Sequence, residues 1–240
     1  MEAVTVSSDL SLSALVLGLA AGKPTGRLMS IQVFTGSSSG TYTTPANISA
    51  IWVRMCGGGG GGGGAAQAAS QSAAGGGGGA GSYLEKYITS PSATYAYTVG
   101  AGGAGGTAGN NAGSNGTAST FGTSLLTAGR GNGGAGCPAS ASIQAVTGGS
   151  AVLSTGGDIN GMGAAGFPGY TLSITLAISG QGGASVWGQG GGARIAEAAG
   201  LPSSATGLIG GGGSGGVCTG TTARAGGPGS DGAIIVFEFT

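Results

Sequence analysis

Histidine is missing from these 240 residues, and charge nearly so: seven basic and seven acidic side chains make up 6% of the chain and cancel. Without histidine there is no Ser-His-Asp or Cys-His triad, no imidazole metal ligand and no general base of the commonest kind. The few carboxylates are scattered, with no pair placed as a glycosidase needs. A balanced charge gives nothing to hold a polyanion, so neither nucleic acid nor an anionic membrane surface is an expected partner. Aromatics are 5% of the chain and alanine swells the 40% hydrophobic fraction, so an ordinary side-chain core would be thin. The three cysteines, Cys56, Cys137 and Cys218, are too widely spaced for a Cys-x-x-Cys zinc site and cannot all pair within one chain. They read as small buried thiols. No catalytic role, cofactor or metal is expected.

Other absences concern targeting. The apolar run Leu10–Ala21 is too short to span a bilayer, and Glu2 and Asp9 stand where a secretory leader needs positive charge. Neither a leader nor membrane insertion is expected. Gly18–Pro24 imitates a phosphate loop, but the spacing is one residue short and Pro24 occupies the metal-binding hydroxyl position.

What the chain has is glycine: 61 residues, about a quarter, against a usual share of about 7%. They gather in seven clusters, Gly57–Gly64, Gly75–Gly79, Gly100–Gly106, Gly129–Gly136, Gly182–Gly192, Gly210–Gly216 and Gly226–Gly232. Between them lie pieces with the two-residue period of strands. Ile31, Val33 and Phe34 begin the series. Ile51, Val53 and Met55 share one face with Trp52 and Arg54 on the other, so two antiparallel strands joined by a loop are expected here. Tyr83, Glu85 and Tyr87 alternate with Leu84, Lys86 and Ile88, and Tyr95, Tyr97 and Val99 alternate with threonine and alanine. Tyr170, Leu172, Ile174, Leu176 and Ile178 share one parity, which predicts a single half-buried strand, and Ile234–Phe239 is apolar apart from Glu238. Ahead of all this, Ser8 or Asp9 as N-cap, Leu12, Leu15, Val16 and Leu19 at helical spacing, and Gly22 as C-cap predict a helix over 9–21 with an apolar stripe suited to packing or oligomer contact.

Seven dispersed clusters are more than a linker needs. Ordering glycine costs about 0.5–1 kcal/mol per residue relative to alanine, and hydrogen bonds between closely packed bare main chains, at about 1 kcal/mol each, offset that cost. Extended three-residue-per-turn helices have all their N–H and C=O groups free for such bonds. The expected fold class is therefore mainly β with polyglycine-II-like glycine helices: short antiparallel strands, packed glycine rods and little α-helix.

The stretch "GRLMSIQVFTGSSSGTYTTPANISAIWVRMCGGGGGGGG" resembles the opening of the glycine-rich domain at the C-termini of bacteriophage tail-fibre proteins: strand, "GTYT-P" turn, strand, glycine run. "GSYLEKYITSPSATYAYTVGAGGAGG", "STFGTSLLTAGRGNGG", "TGGDINGMGAAGFPG", "SVWGQGGGAR" and "GGPGSDGAIIVFEFT" resemble its later blocks, in the same order. The resemblance covers about residues 26–240. It implies two parts, an attachment or oligomerisation segment (1–25) and a glycine-rich adhesin domain (26–240). It further implies a virion location on the phage tail, and recognition of a host bacterial surface receptor, protein or polysaccharide, by loops on a glycine scaffold similar to that of T-even-like tip adhesins. Other tail or fibre proteins are the implied neighbours. A homotrimer is expected, with a monomeric tip cap as the alternative. The short segment before the domain implies a shaft made by another chain, or a small tail-tip protein.

Receptor contact is expected from the excursions Ala65–Ala74, Asn110–Thr120, Pro138–Thr147, Ile195–Leu208 and Val217–Arg224, because loops on a rigid scaffold carry function. Aromatics and arginine anchor interfaces best, which singles out Phe167, Tyr170, Trp187 and Arg194 as receptor-binding candidates. Trp187 also suits a cap on the rods, and Tyr170 a place in the core. A virion component that trimerises or caps a fibre without receptor contact is the competing reading; an ice-binding glycine protein ranks below it, and an enzyme below that.

Overall fold

Residues 26–195 and 209–240 are described by the structure, a computed structural model. The expected helix over 9–21 and most of the Ile195–Leu208 excursion lie outside them. Among the described residues the fold is mainly β, with antiparallel sheets and no helix. The strands are β1 (Leu28–Thr35), β2 (Ser39–Thr43), β3 (Ala50–Cys56), β4 (Ala73–Ala74), β5 (Tyr83–Thr89), β6 (Thr94–Thr98) and β7 (Ser119–Phe121). They continue as β8 (Leu126–Ala128), β9 (Gln144–Val146), β10 (Ile159–Gly161), β11 (Gly169–Ser173), β12 (Leu176–Ile178), β13 (Val217–Cys218) and β14 (Ala233–Phe239).

Two of the sheets make a sandwich. The larger runs β1-β14-β3-β5-β10 and the smaller β2-β6-β7-β8. Alternation decides which face turns inward: Ile51, Val53, Met55, Leu84, Ile234 and Val236 meet Tyr42, Tyr95, Val99, Phe121 and Leu126 from the opposite sheet. An aromatic contact ties the layers, Phe34 of β1 against Tyr97 of β6 at 4.2 Å, while Tyr95 stacks on Phe121 at 4.8 Å within the smaller sheet. Glu238 is fully buried in this core, where its carboxyl accepts the Tyr42 hydroxyl at 2.9 Å and the Ser30 hydroxyl. Burial foremost, and then that carboxyl, pushes the Tyr42 phenol well above its ordinary value.

The expected pairing of the first two strands is corrected by this topology. β1 and β3 do not pair; β14, from the far end of the chain, lies between them, with Val33 opposite Ile235 and Ile235 opposite Arg54. β14 is apolar on both faces apart from Glu238, so a central position suits it, whereas β1 carries Ser30 and Gln32 and takes the edge. The stretch read as the GTYT-P turn contains β2, which pairs with β6 through Tyr42 and Tyr95.

β3 runs directly into Gly57–Gly64, which is buried throughout and belongs to no strand. All eight of its N–H groups donate to backbone carbonyls, at 2.8–3.0 Å, in a rotation that repeats every third residue. Gly57, Gly60 and Gly63 donate to Ser82, Gly79 and Gly76; Gly58, Gly61 and Gly64 to Thr117, Ser114 and Asn111; Gly59 and Gly62 to Ser230 and Gly227. The carbonyls follow the same rule. Those of Gly58, Gly61 and Gly64 accept from Gly131, Gly134 and Cys137, those of Gly59 and Gly62 from Gly103 and Gly106, and those of Gly60 and Gly63 from Gly213 and Gly216. Six segments thus surround one. A β-carbon added at any of the eight glycines would stand closer than 3.0 Å to a backbone oxygen, and that absence of room is what selects glycine here. Gly75–Ser82 is wrapped in the same way, donating to segments at 129–135, 164–167 and 210–216.

This glycine layer has two ends. At the Gly57 end the segments pass into the sandwich, through Cys56, Tyr83, Ser119, Ala128 and Ala233. At the Gly64 end they are joined by short connections and two small sheets, β12-β11-β9 and β13-β4. All three cysteines are buried and free, Cys56 at the first end and Cys137 and Cys218 at the second, where they share a small cluster with Ala65 and Ala73. Burial pushes the Cys56 thiol up to about 12, against a smaller opposing pull from the Ser185 hydroxyl, and raises Cys137 as well.

Candidate functional site

The small sheets at the Gly64 end owe their orientation to the glycine layer. β11 and β12 form a hairpin, Tyr170 opposite Ile178 and Thr171 opposite Ala177, with a register shift before Ser173. Thr171, Ala177 and Ser179 are buried, while Tyr170, Leu172, Ile174 and Leu176 stand 40–45% exposed. Two expectations are corrected here. The single strand is a hairpin, and its large apolar parity faces outward. The reason lies underneath: Ala177 packs on Ala74 and Val217, and a β-carbon at Gly169 would collide with the Ala74 carbonyl. Backbones that approach so closely admit only small side chains, so the bulky ones turn to the surface. Tyr170 is therefore a surface residue and no part of the core.

Three of the four candidate residues come from segments that neighbour one another at this end. Phe167, 61% exposed, donates its N–H to the Gln181 carbonyl and accepts from Gly77. Tyr170 pairs across β11 with Ile178, and Ile178 bridges to Ile195. The exposed Arg194 donates its N–H to the Ser179 hydroxyl at 2.9 Å and accepts the Ser179 N–H. Ala145 of β9, on the other side of Tyr170, completes a row Ala145–Tyr170–Ile178–Ile195. The described acidic residues Glu85, Asp158, Asp231 and Glu238 all lie on the sandwich side, while Arg194 and Arg224 sit at this end.

Trp187 lies elsewhere. It is half-buried, its ring is edge-on to Tyr83 at 5.3 Å, and it bridges Ile209 at the Gly57 end. Arg54 threads between Trp52, Tyr83 and Trp187 at 5.1, 5.6 and 5.7 Å, donates to the Tyr83 hydroxyl at 2.7 Å and pairs with Glu85 at 3.5 Å. This is a cation held by aromatic faces and one carboxylate, and it fastens the edge of the glycine layer to the larger sheet. Burial, with the bond to Glu85 second and Arg54 opposing, moves the Tyr83 phenol up to about 12.

Of the expected loops, Asn110–Thr120 is corrected: Asn111, Ser114 and Thr117 accept from Gly64, Gly61 and Gly58, so most of it is a segment of the glycine layer. Its Gly113 and Gly116 face that central run, where a β-carbon would strike the Gly61 and Gly58 carbonyls. Sequence reasoning missed the segment because only every third residue has to be glycine. The spacing was the available signal, at Gly113/Gly116 as at Gly103/Gly106 and Gly226/Gly229.

A shallow pocket of about 300 Å³ opens on the outer face of the larger sheet, lined by Trp52, Glu85, Lys86, Tyr87, Asp158 and Ile159. Its charged side chains are all engaged, Glu85 with Arg54 and Tyr83. Asp158 pairs with Lys86 and accepts the Tyr87 N–H at 2.9 Å, bonds that hold its carboxyl below the ordinary carboxylate range. Among the described residues no three His, Cys, Asp or Glu side chains gather as a metal site, and no helix is long and apolar enough to cross a membrane.

No curated protein matches the chain. One family does, over residues 34–237, a span that takes in the glycine layer, the outward-facing hairpin and the sandwich apart from most of β1 and the end of β14. This chain belongs to the glycine-rich domain family.

Proposed function

We propose that this protein is a bacteriophage tail-fibre or tail-tip component that sits on the virion and recognises a receptor on the bacterial surface by binding alone, without catalysis. The observation that carries the reading is the apolar hairpin surface: Tyr170, Leu172, Ile174 and Leu176 point to solvent, beside Phe167 and Arg194, at the one end of the glycine layer that no sandwich covers. Contiguous exposed apolar surface with aromatic and arginine anchors suits an interface. The resemblance to phage tail-fibre glycine-rich domains supplies the biological setting, with other tail or fibre proteins as neighbours on the sandwich side.

The scaffold is part of the same reading. The glycine segments are polyglycine-II-type rods: three residues per turn is the period of an extended left-handed helix, and it matches the three-residue rotation of partners around Gly57–Gly64. At about 3.1 Å per residue, eight residues carry the receptor end about 25 Å from the sandwich.

Adsorption measures this directly. Purified protein is expected to bind susceptible bacteria and to block infection. Tyr170→Ala combined with Leu172→Asp should weaken cell binding about tenfold or more while the chain still folds with the same strand circular dichroism, since both side chains are 40–45% exposed. Protein that bound phage particles but no cell would instead be a structural cap or trimerising component of the fibre.

A further inference from the structure

The outer face of the larger sheet is largely apolar, and among the described residues Trp187 covers it at Tyr83 and Arg54 while the rest stays open. Ile31 and Val33 on β1 are 48% and 59% exposed, Tyr87 on β5 49% and Ile159 on β10 58%. Register places them in rows with half-buried side chains, Ile31–Phe237–Trp52–Tyr87 and Val33–Ile235–Arg54–Glu85–Ile159. The charges on and beside the face are paired off, Arg54 with Glu85 and Lys86 with Asp158. A sheet that buries one face in a sandwich and leaves aromatic and branched side chains on the other has an unfilled partner.

We propose that this face is the docking site of the chain's own N-terminal segment, with Leu12, Leu15, Val16 and Leu19 set against it. Three observations select this occupant. The first is the point of attachment: the segment joins the fold at Gly26, whose N–H donates to Thr240 next to Phe239, at a corner of this same face. The second is fit. Five strands about 4.8 Å apart are about 19 Å across, and a helix over 9–21 is about 20 Å long; residues 22–25 reach about 13 Å when extended, enough to turn the segment back. The third is chemistry: between Ser11 and Gly22 the segment has no charged residue, and its leucines recur at the spacing of one helical stripe. A tethered segment also meets its site at a high effective concentration, which a second copy of the chain in dilute solution does not.

The test uses the full chain and its Leu15→Asp/Leu19→Asp variant, both carrying Trp187→Phe so that Trp52 is the only indole. The unsubstituted stripe should give a monomer by light scattering, little binding of a hydrophobic dye and a Trp52 protected from acrylamide. The Asp variant should keep the same strand circular dichroism yet show a several-fold rise in dye binding and in Trp52 quenching. The proposal is overturned if the two chains behave alike. It is overturned equally if the unsubstituted chain is a dimer or trimer that the Asp pair dissociates, because the stripe would then join copies.

Discussion

The sandwich and the glycine layer are held together by different parts of the same chain. In the sandwich, side chains do the work: Phe121, Ile51, Met55 and Leu84 fill the space between sheets, and main-chain bonds run between neighbouring strands. In the layer, side chains are excluded and the main chain of Gly57–Gly64 bonds in six directions. The first core tolerates loss of volume at a graded cost. The second tolerates no added volume, because what stands opposite each glycine is backbone, which cannot rotate away. A composition poor in large apolar residues is thus sufficient for an ordered domain.

Substitutions sharpen this contrast. The largest effect is expected for Gly61→Val. Its β-carbon alone would collide with the Ala104 carbonyl, so destabilisation of about 5 kcal/mol or more, or no folded protein at all, should appear in urea unfolding. Phe121→Ala, a deletion in the sandwich, is expected to cost about 4 kcal/mol by the same measurement, with the chain still folding. Tyr42→Phe removes a donor from the buried Glu238 carboxyl, and about 2 kcal/mol should be lost.

A further prediction concerns pH at the junction of the two regions. Cys56 has its folded value raised to about 12 from 9.0. Unfolded thiols release their protons near the lower figure while the folded one keeps its own, so the folded state binds more protons and stability falls as pH rises through this interval. Cys56 contributes about 1 kcal/mol to the loss of stability between pH 9 and 10 in urea unfolding, the raised Cys137, Tyr42 and Tyr83 add to it with the same sign, and Cys56 should resist alkylation in the native state. The smallest effect belongs to Gly192→Ala, where nothing lies within 4 Å; a change within about 0.5 kcal/mol is expected. A large loss there would mean that glycine is required for some reason other than space.

What could be read in the sequence divides along the same line. Strand-like patterning located β1, β3, β5, β6 and β14 and set Ile51, Val53 and Met55 on one face with Trp52 and Arg54 on the other, because a side-chain core imposes that period; the sandwich strands β2, β7, β8 and β10 went unread. The same rule failed for Tyr170–Ile178, where the layer beneath accepts only Thr171 and Ala177. Pairing order was illegible, since β14 meets β1 and β3 only through a separation of about the whole chain. Of the site, Phe167, Tyr170 and Arg194 were placed on neighbouring segments, but nothing in local sequence told them apart from Trp187, whose partners Arg54 and Tyr83 are far away in the chain. The layer itself was visible where every residue is glycine and invisible at Asn111–Thr117, where one face alone is crowded.

Residue-resolved native-state hydrogen exchange tests the bonding of bare main chains most directly. Amides of Gly57–Gly64 should exchange as slowly as those of Val53 and Val236 in the sandwich, at the rate set by global unfolding. Exchange of the glycine amides well ahead of those strands would show that the layer is not held by its backbone, and would contradict the account.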